Sequence, residues 1–248
     1  MLFNVHYRLE RRTTTLLIGI VVAASIGGLV EIAPLFTIEG TVEAAPNMRV
    51  LTPLEVAGRD IYVREGCYLC HSQMIRTLQD EVDRYGHYSL AVESKYDHPM
   101  LWGSKRIGPD LARIGGKYSD EWHVRHLIDP RAVVPQSIMP RYAFLAQRDL
   151  KTAELGENLA ALRAVGVPYT RDMIDNASAD ATAQVAADSS GAAALLKRYG
   201  EATNVREFAG STSRVTEMDA LVAYLQMVGK QTNIEDDAGA NKKPPDND

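Results

Sequence analysis

Residues 67–71 read Cys67-Tyr68-Leu69-Cys70-His71, and this stretch decides how the chain is interpreted. Two thiols three positions apart can form thioethers with the two vinyl groups of one porphyrin, and the adjacent imidazole can then ligate the iron. A zinc site would need two further ligands, and the chain has no other cysteine; a thioredoxin-like redox pair would need a βαβ pattern. The motif therefore predicts one covalently attached haem c, bound through Cys67 and Cys70, with His71 as an axial iron ligand.

The second axial ligand must come from elsewhere in the chain. Met139 lies in Pro135-Gln136-Ser137-Ile138-Met139-Pro140, where the flanking prolines favour an extended segment that can present a side chain to a ring face. Met74 follows His71 too closely to reach the opposite face of the ring. We predict Met139 as the second ligand, and Met100 or a histidine as the alternatives. The other methionines and histidines weighed for this role are Met173, Met218, Met227, His87, His98, His123 and His126.

Between the two ligands, Gly108-Pro109-Asp110-Leu111 predicts a turn. An axial histidine usually donates its second ring N–H to a backbone carbonyl, so we predict that the Pro109 carbonyl accepts from His71. The basic side chains nearby are candidates for pairing with haem propionates, although a solvated surface position explains each one more simply. These are Lys105, Arg106 and Arg113.

His123 and His126 share one face of a short helix that Ser119 opens and Asp129-Pro130 ends. No acidic residue completes a metal-binding set with them. We therefore expect them to be partly exposed structural histidines.

An apolar segment near the amino terminus predicts one membrane span. Residues 13–30 contain no charge, and at about 1.5 Å per residue they cover roughly 27 Å, close to the thickness of a bilayer core. Arg8, Arg11 and Arg12 precede the segment, which places the amino terminus in the cytoplasm by the positive-inside rule. The segment is longer than the core of a usual signal peptide, so we expect an uncleaved anchor. Glu31 lies at its outer end, either in the headgroup region or against a partner helix.

Composition excludes two classes of protein. The 248 residues carry 27 basic and 32 acidic side chains, a net charge of −5, so no general basic field is available to bind nucleic acid. Two cysteines are too few for a disulfide scaffold of this length. A hydrophobic fraction of 46% is ordinary for a chain that buries a core.

Capping signals predict the helices around the motif. Thr52, Pro53 and Glu55 form a capping box with proline at the first helical position, which predicts a helix over about 53–64. Gly58 in this helix allows the close approach of another helix, and we expect that partner to be the last helix, which Thr216 begins. Accessory helices are predicted between them, one with Leu155, Leu159 and Leu162 on one face and one from Thr170 towards Tyr199. The 176–194 segment reads as a solvated helix or a partly mobile one.

The runs CYLCHSQMIR, RYGHYS, YDHPMLWGSKRIGPDLARIGGKYSDEWHVRHLIDPRAVVPQSIMPRY and ALVAYLQMVG resemble the mono-haem cytochrome c subunit (subunit II, the CcoO/FixO family) of cbb3-type cytochrome c oxidases. The resemblance covers almost the whole chain. It implies thioethers at Cys67 and Cys70, axial ligands at His71 and Met139, and a membrane helix beside the haem-copper catalytic subunit. It also implies that electrons arrive from a di-haem cytochrome c subunit or a soluble cytochrome c and pass to the catalytic subunit, where oxygen is reduced.

We therefore predict a mainly α protein with a single N-terminal transmembrane helix and a class I-like cytochrome c domain with helical insertions. Its expected parts are 1–45, the cytoplasmic terminus, anchor and linker; 46–230, a periplasmic cytochrome c domain with an accessory insertion at about 141–215; and 231–248, a disordered tail. The chain is expected in the bacterial inner membrane as an electron-transfer subunit with no substrate-converting site of its own. The alternatives are a stand-alone membrane-anchored carrier and a haem-based sensor or peroxidase, which would need an open iron position.

Overall fold

The regular structure of the chain is helical. A computed structural model describes residues 6–7, 10–36, 48–187, 189–210 and 214–231. No strand is found among these residues, and one isolated bridge joins Asp149 to Thr216. The chain divides into two compact units, residues 1–44 and 45–248. The prediction of a mainly α fold is confirmed. The predicted linker at Pro46-Asn47 lies outside the described residues, and so does the predicted tail 231–248 apart from Gln231.

The first unit contains one long apolar helix, α1 (Thr13–Ile32), followed by a 3₁₀ turn at Ala33–Phe36. Twenty residues of α-helix extend about 30 Å, the thickness of a bilayer core. The mean hydropathy of the helix is 2.2, and none of it is buried in the structure. The prediction of one N-terminal helix able to cross a membrane is confirmed in length and composition.

The second unit carries the remaining helices. Its α-helices within the described residues are α2 (Pro53–Arg64), α3 (Gln79–Tyr85), α4 (Asp120–Ile128), α5 (Leu155–Ala164), α6 (Arg171–Asp175), α7 (Ala177–Gln184), α8 (Ser190–Tyr199) and α9 (Glu217–Met227). Short 3₁₀ turns connect them at Cys67–Leu69, Ala91–Ser94, Pro130–Ala132, Ala143–Ala146 and Thr152–Glu154.

The centre of the second unit is the packing of α2 against α9. The predicted capping box begins α2: the Thr52 hydroxyl accepts from the Glu55 N–H, and the Glu55 carboxylate accepts from the Thr52 N–H. A Cβ on Gly58 would lie 1.9 Å from the Ala220 carbonyl oxygen, so the two backbones touch at this point. The predicted pairing of these helices is therefore confirmed, and α2 leads directly into the cysteine motif.

Two of the accessory helices, α5 and α7, pack on α2, and the helix predicted from Thr170 is divided into shorter ones. In place of one helix from Thr170 towards Tyr199, the structure has α6, α7 and α8. The Asn176 side-chain amide donates to the Asp172 carbonyl at 2.8 Å, a local bond that competes with helix continuation. Ala177 and Ala181 are at most 1% exposed, so this part of the segment is a helix with a buried face and not a simply solvated one.

Candidate haem-binding site

A tight turn gathers the three residues of the cysteine motif. Gly66 ends α2 in the left-handed conformation with φ of 71°, and the 3₁₀ turn Cys67–Leu69 follows at once. The N–H groups of Cys70 and His71 both donate to the Cys67 carbonyl, at 3.1 and 3.0 Å. The two cysteines are partly exposed free thiols. Burial, and then the charge of Glu65, raise the pKa of Cys67 to about 12, so this thiol is protonated at neutral pH.

The His71 imidazole bonds to a backbone carbonyl through Nδ1. Its Nδ1 lies 2.8 Å from the carbonyl oxygen of Pro109. A carbonyl can only accept, so Nδ1 donates in this bond, and in the neutral imidazole Nε2 then keeps a lone pair. Neutral imidazole with Nδ1–H bonded to a backbone carbonyl is the form that ligates a metal through Nε2. The Pro109 carbonyl therefore lies at hydrogen-bond distance from His71, as predicted. The role of this pair in haem binding stays a prediction.

The Gly108 backbone lies against the same His71 ring. A Cβ at this position would lie 2.2 Å from Cε1 of His71, 2.7 Å from Nδ1 and 2.8 Å from Nε2. Only glycine lets the backbone pass this close, which explains why it precedes Pro109. The ring is therefore held between a carbonyl acceptor and a flat stretch of backbone.

Met139 lies in the segment that follows α4. Residues 137–142 have no regular secondary structure, as the flanking prolines predict, and Met139 is partly buried against the core. Met100 is 53% exposed. Burial and then the charge of Cys67 raise the pKa of Tyr142, which places this segment near the motif. The assignment of Met139 as a ligand stays a prediction.

Helix α4 and the turn before it present a row of stacked rings. The ring centroids of Tyr118 and Trp122 lie 4.0 Å apart, and those of Trp122 and His126 lie 4.7 Å apart. Burial and then the nearby His71 lower the pKa of His126. His123 is only 3% exposed, so the prediction of a partly exposed residue was wrong for it. Burial comes from its place beside Tyr118 and Trp122, whose rings meet it edge-on.

The donor set around the motif matches what a haem requires. Nδ1 of His126 is buried and has no hydrogen-bond partner among the described residues, and this ring lies near His71. Two thiols in one turn and an imidazole whose Nε2 can ligate iron are the features that a covalently bound haem needs, and the Gly108 backbone leaves room for that ring. The residues present therefore fit the predicted group.

Two of the three basic residues considered for propionates, Arg106 and Arg113, have protein partners. Arg113 pairs with Glu93 at 2.7 Å, and Arg106 pairs with Glu81 at 2.8 Å. Arg106 also reaches a buried cluster that sequence reasoning missed, formed with Ser72 and Asp110. In the sequence, only the position of Asp110 in the predicted turn hinted at this cluster. Glu81 and Asp110 lie 29 residues apart, and both look like surface acids.

Comparison with known proteins identifies a family. A family model described as "Cytochrome C oxidase, mono-heme subunit/FixO" matches residues 6–232, more than nine-tenths of the chain. The matched range contains α1, the cysteine motif, Met139 and α9. A search of the curated proteins finds no match.

Proposed function

Because the chain belongs to the FixO family of mono-haem cytochrome c oxidase subunits, we propose that it carries one haem c covalently and relays electrons to the catalytic subunit of its oxidase. Members of this family are mono-haem subunits of a cytochrome c oxidase complex. The chain is therefore an electron-transport subunit that binds one haem. The covalent attachment, the ligands, the direction of electron flow and the partners are the parts we propose.

The contact between His71 and Pro109 carries the proposal. With Nδ1 donating to the carbonyl at 2.8 Å and Gly108 beneath the ring, Nε2 of His71 is the nitrogen available to iron. Cys67 and Cys70 would hold the porphyrin through thioethers, and Met139 would supply the second axial ligand. A haem bound in this way supplies one-electron exchange between ferric and ferrous iron. The chain's own residues hold and orient it, and none is assigned bond chemistry on a substrate.

The expected partners follow from the family. We propose that electrons come from a di-haem cytochrome c subunit, or from a soluble cytochrome c, and leave to the haem-copper catalytic subunit. Helix α1 would anchor the chain in the bacterial inner membrane, with Arg11 and Arg12 on the cytoplasmic side and the haem unit in the periplasm. Anchoring restricts the haem unit to a layer near its acceptor and so raises its effective concentration there.

The test of the ligand assignment compares two methionine variants of the full chain. Met139→Leu should keep the covalent haem, because the thioethers do not depend on Met139, but should lose the methionine-to-iron absorption band. Its midpoint potential should fall, since a thioether ligand favours ferrous iron. Met100→Leu is the matched control and should keep both the band and the potential. Loss of the band in Met100→Leu instead would transfer the ligand to Met100.

A further inference from the structure

A largely buried ionic cluster links the segment that follows His71 to the segment that follows Pro109. We call Ser72, Glu81, Arg106 and Asp110 the Asp110 cluster. The Asp110 side chain has no exposed surface, and Glu81 is 4% exposed. Arg106, and then Arg76, hold the pKa of the Glu81 carboxyl below its usual range. Together with the exposed Arg76, which pairs with Glu81, the cluster combines two acids and two bases.

The Asp110 carboxylate joins two segments of chain. Its Oδ2 accepts from the Ser72 hydroxyl at 2.5 Å and from the Met74 N–H at 3.0 Å. Its Oδ1 accepts from the Ala112 N–H at 2.8 Å. One carboxylate therefore binds the residues that follow His71 and the residues that follow Pro109.

Arg106 supports the same junction from the other side. Its Nε donates to the Ser72 hydroxyl at 2.7 Å, which leaves the hydroxyl proton for Asp110. Its Nη2 donates to the Met74 carbonyl and to Glu81, both at 2.8 Å. Because these bonds are charge-assisted and partly buried, they hold Ser72 and Met74 more firmly than neutral bonds would.

Backbone bonds complete the junction on both sides of the imidazole. The Gly108 N–H donates to the Cys70 carbonyl at 3.0 Å, and the Leu111 N–H donates to the Ser72 carbonyl at 2.8 Å. The segments 70–74 and 108–112 are thus fixed to each other, with His71 on one and Pro109 on the other. The 2.8 Å contact between Nδ1 and the Pro109 carbonyl depends on this alignment.

We propose that Asp110 is a positioning residue for His71. Its carboxylate keeps the Pro109 carbonyl on Nδ1, and thereby sets the orientation and basicity of the imidazole and the midpoint potential of the haem. The inference rests on the proposed function, because it takes His71 to be the axial ligand.

The direction of the effect follows from charge. Ferric haem carries one more positive charge than ferrous haem, so a fixed carboxylate nearby favours the ferric form. A well-placed acceptor on Nδ1 makes the imidazole a stronger donor to iron, which favours the ferric form as well. Asp110→Asn weakens both effects, and we expect the ferrous-to-ferric ratio at a given potential to rise on the order of tenfold, about 59 mV for one electron.

The experiment measures midpoint potentials and ferric electron paramagnetic resonance spectra of the full haem-loaded chain and three variants. Asp110→Asn should raise the potential and shift the g-values. Ser72→Ala keeps the charge of Asp110 but removes its hydroxyl bond, so it should shift the g-values with a smaller rise in potential. The matched control is Asp180→Asn, because Asp180 is another buried aspartate, 1% exposed, that pairs with Arg198 on α8. It should change neither readout.

The outcomes separate this inference from the proposed function. An unchanged potential in Asp110→Asn, or an equal rise in Asp180→Asn, would overturn it. If Asp110→Asn raises the potential and leaves the g-values unchanged, Asp110 acts through its charge alone and the positioning role is wrong. Should Asp110→Asn fail to fold, unchanged g-values in Ser72→Ala overturn the positioning role, because Ser72 supplies one of the two bonds that tie Asp110 to the segment after His71. The proposed function fails separately, if the unaltered chain shows no covalent haem or lacks a His/Met spectrum.

Discussion

Gly108→Ala tests the geometry of the His71 site most sharply. The new Cβ would lie 2.2 Å from Cε1 of His71 and 2.7 Å from Nδ1. Carbon atoms in contact prefer about 3.5 Å or more, so the ring or the 108–110 backbone must move by roughly 1 Å. Either movement separates Nδ1 from the Pro109 carbonyl, now 2.8 Å away.

The size of the loss follows from two effects. Placing a methyl group in a packed site without space typically costs about 1–3 kcal/mol, and losing the Nδ1 hydrogen bond costs about 0.5–1.5 kcal/mol. Alanine also lowers the conformational entropy of the unfolded chain, and this offsets the loss of folding free energy by about 0.4–1 kcal/mol. We therefore expect the free energy of unfolding to fall by about 0.5–4 kcal/mol, within the roughly 5–15 kcal/mol of a typical domain.

The assay combines denaturant unfolding with a redox titration of the haem-loaded chain. Gly108→Ala should remain folded, keep its haem through Cys67 and Cys70, and show an altered potential because the imidazole loses its acceptor. Gly156→Ala is the control, because its Cβ would meet only the Ile174 carbonyl oxygen, at 3.0 Å, in the accessory helices. If Gly108→Ala matches the unaltered chain in both stability and potential, the ring is not held as described.

Three further predictions concern the fold and its units. Gly58→Ala should lower the unfolding midpoint by several degrees in a thermal melt and leave the spectrum of any folded haem protein unchanged, because its Cβ would lie 1.9 Å from the Ala220 carbonyl oxygen, at the crossing of α2 and α9. Burial lowers the pKa of His123 to about 4, so between about pH 6.5 and 4 the unfolded chain binds a proton that the folded chain does not. The free energy of unfolding should therefore fall over this window by about 2–3 kcal/mol in denaturant titrations, and His123→Gln should lose that dependence. Removal of residues 1–45, with an export signal supplied, should yield a soluble and reducible cytochrome; failure of that fragment to fold with haem would refute the two-part organisation.

Local signals made much of the fold predictable. The capping box at Thr52 and Glu55 predicts the start of α2, and the observed helix Pro53–Arg64 begins there. Thr216 with Asp219 does the same for α9, and Gly58 indicates the close crossing of the two helices. Each of these signals depends on residues within one or two turns, so one sequence is enough to detect them.

Long-range polar contacts were not predictable in the same way. Asp110, Glu81 and Arg106 look like surface charges in sequence, and only the fold shows that they meet behind His71. His123 was expected to be a partly exposed structural histidine because no acidic residue completes a metal site with it, yet it is 3% exposed and the rings of Trp122 and Tyr118 meet it edge-on. Hydrophobic periodicity carries no information about such burial, since the cover depends on how the rings pack.

The central claim is that electrons reach the oxidase through a haem on Cys67 and Cys70, and oxygen consumption tests it most directly. The measurement uses the purified complex with both cysteines changed to alanine, and its subunit stoichiometry is determined in the same sample. With a cytochrome donor, oxygen consumption should be lost, because this chain's redox centre is gone while α1 is unchanged. An artificial donor that reaches the catalytic subunit directly should still support turnover in the assembled complex. Normal oxygen consumption from the cytochrome donor, in an assembled complex without this haem, would contradict the relay.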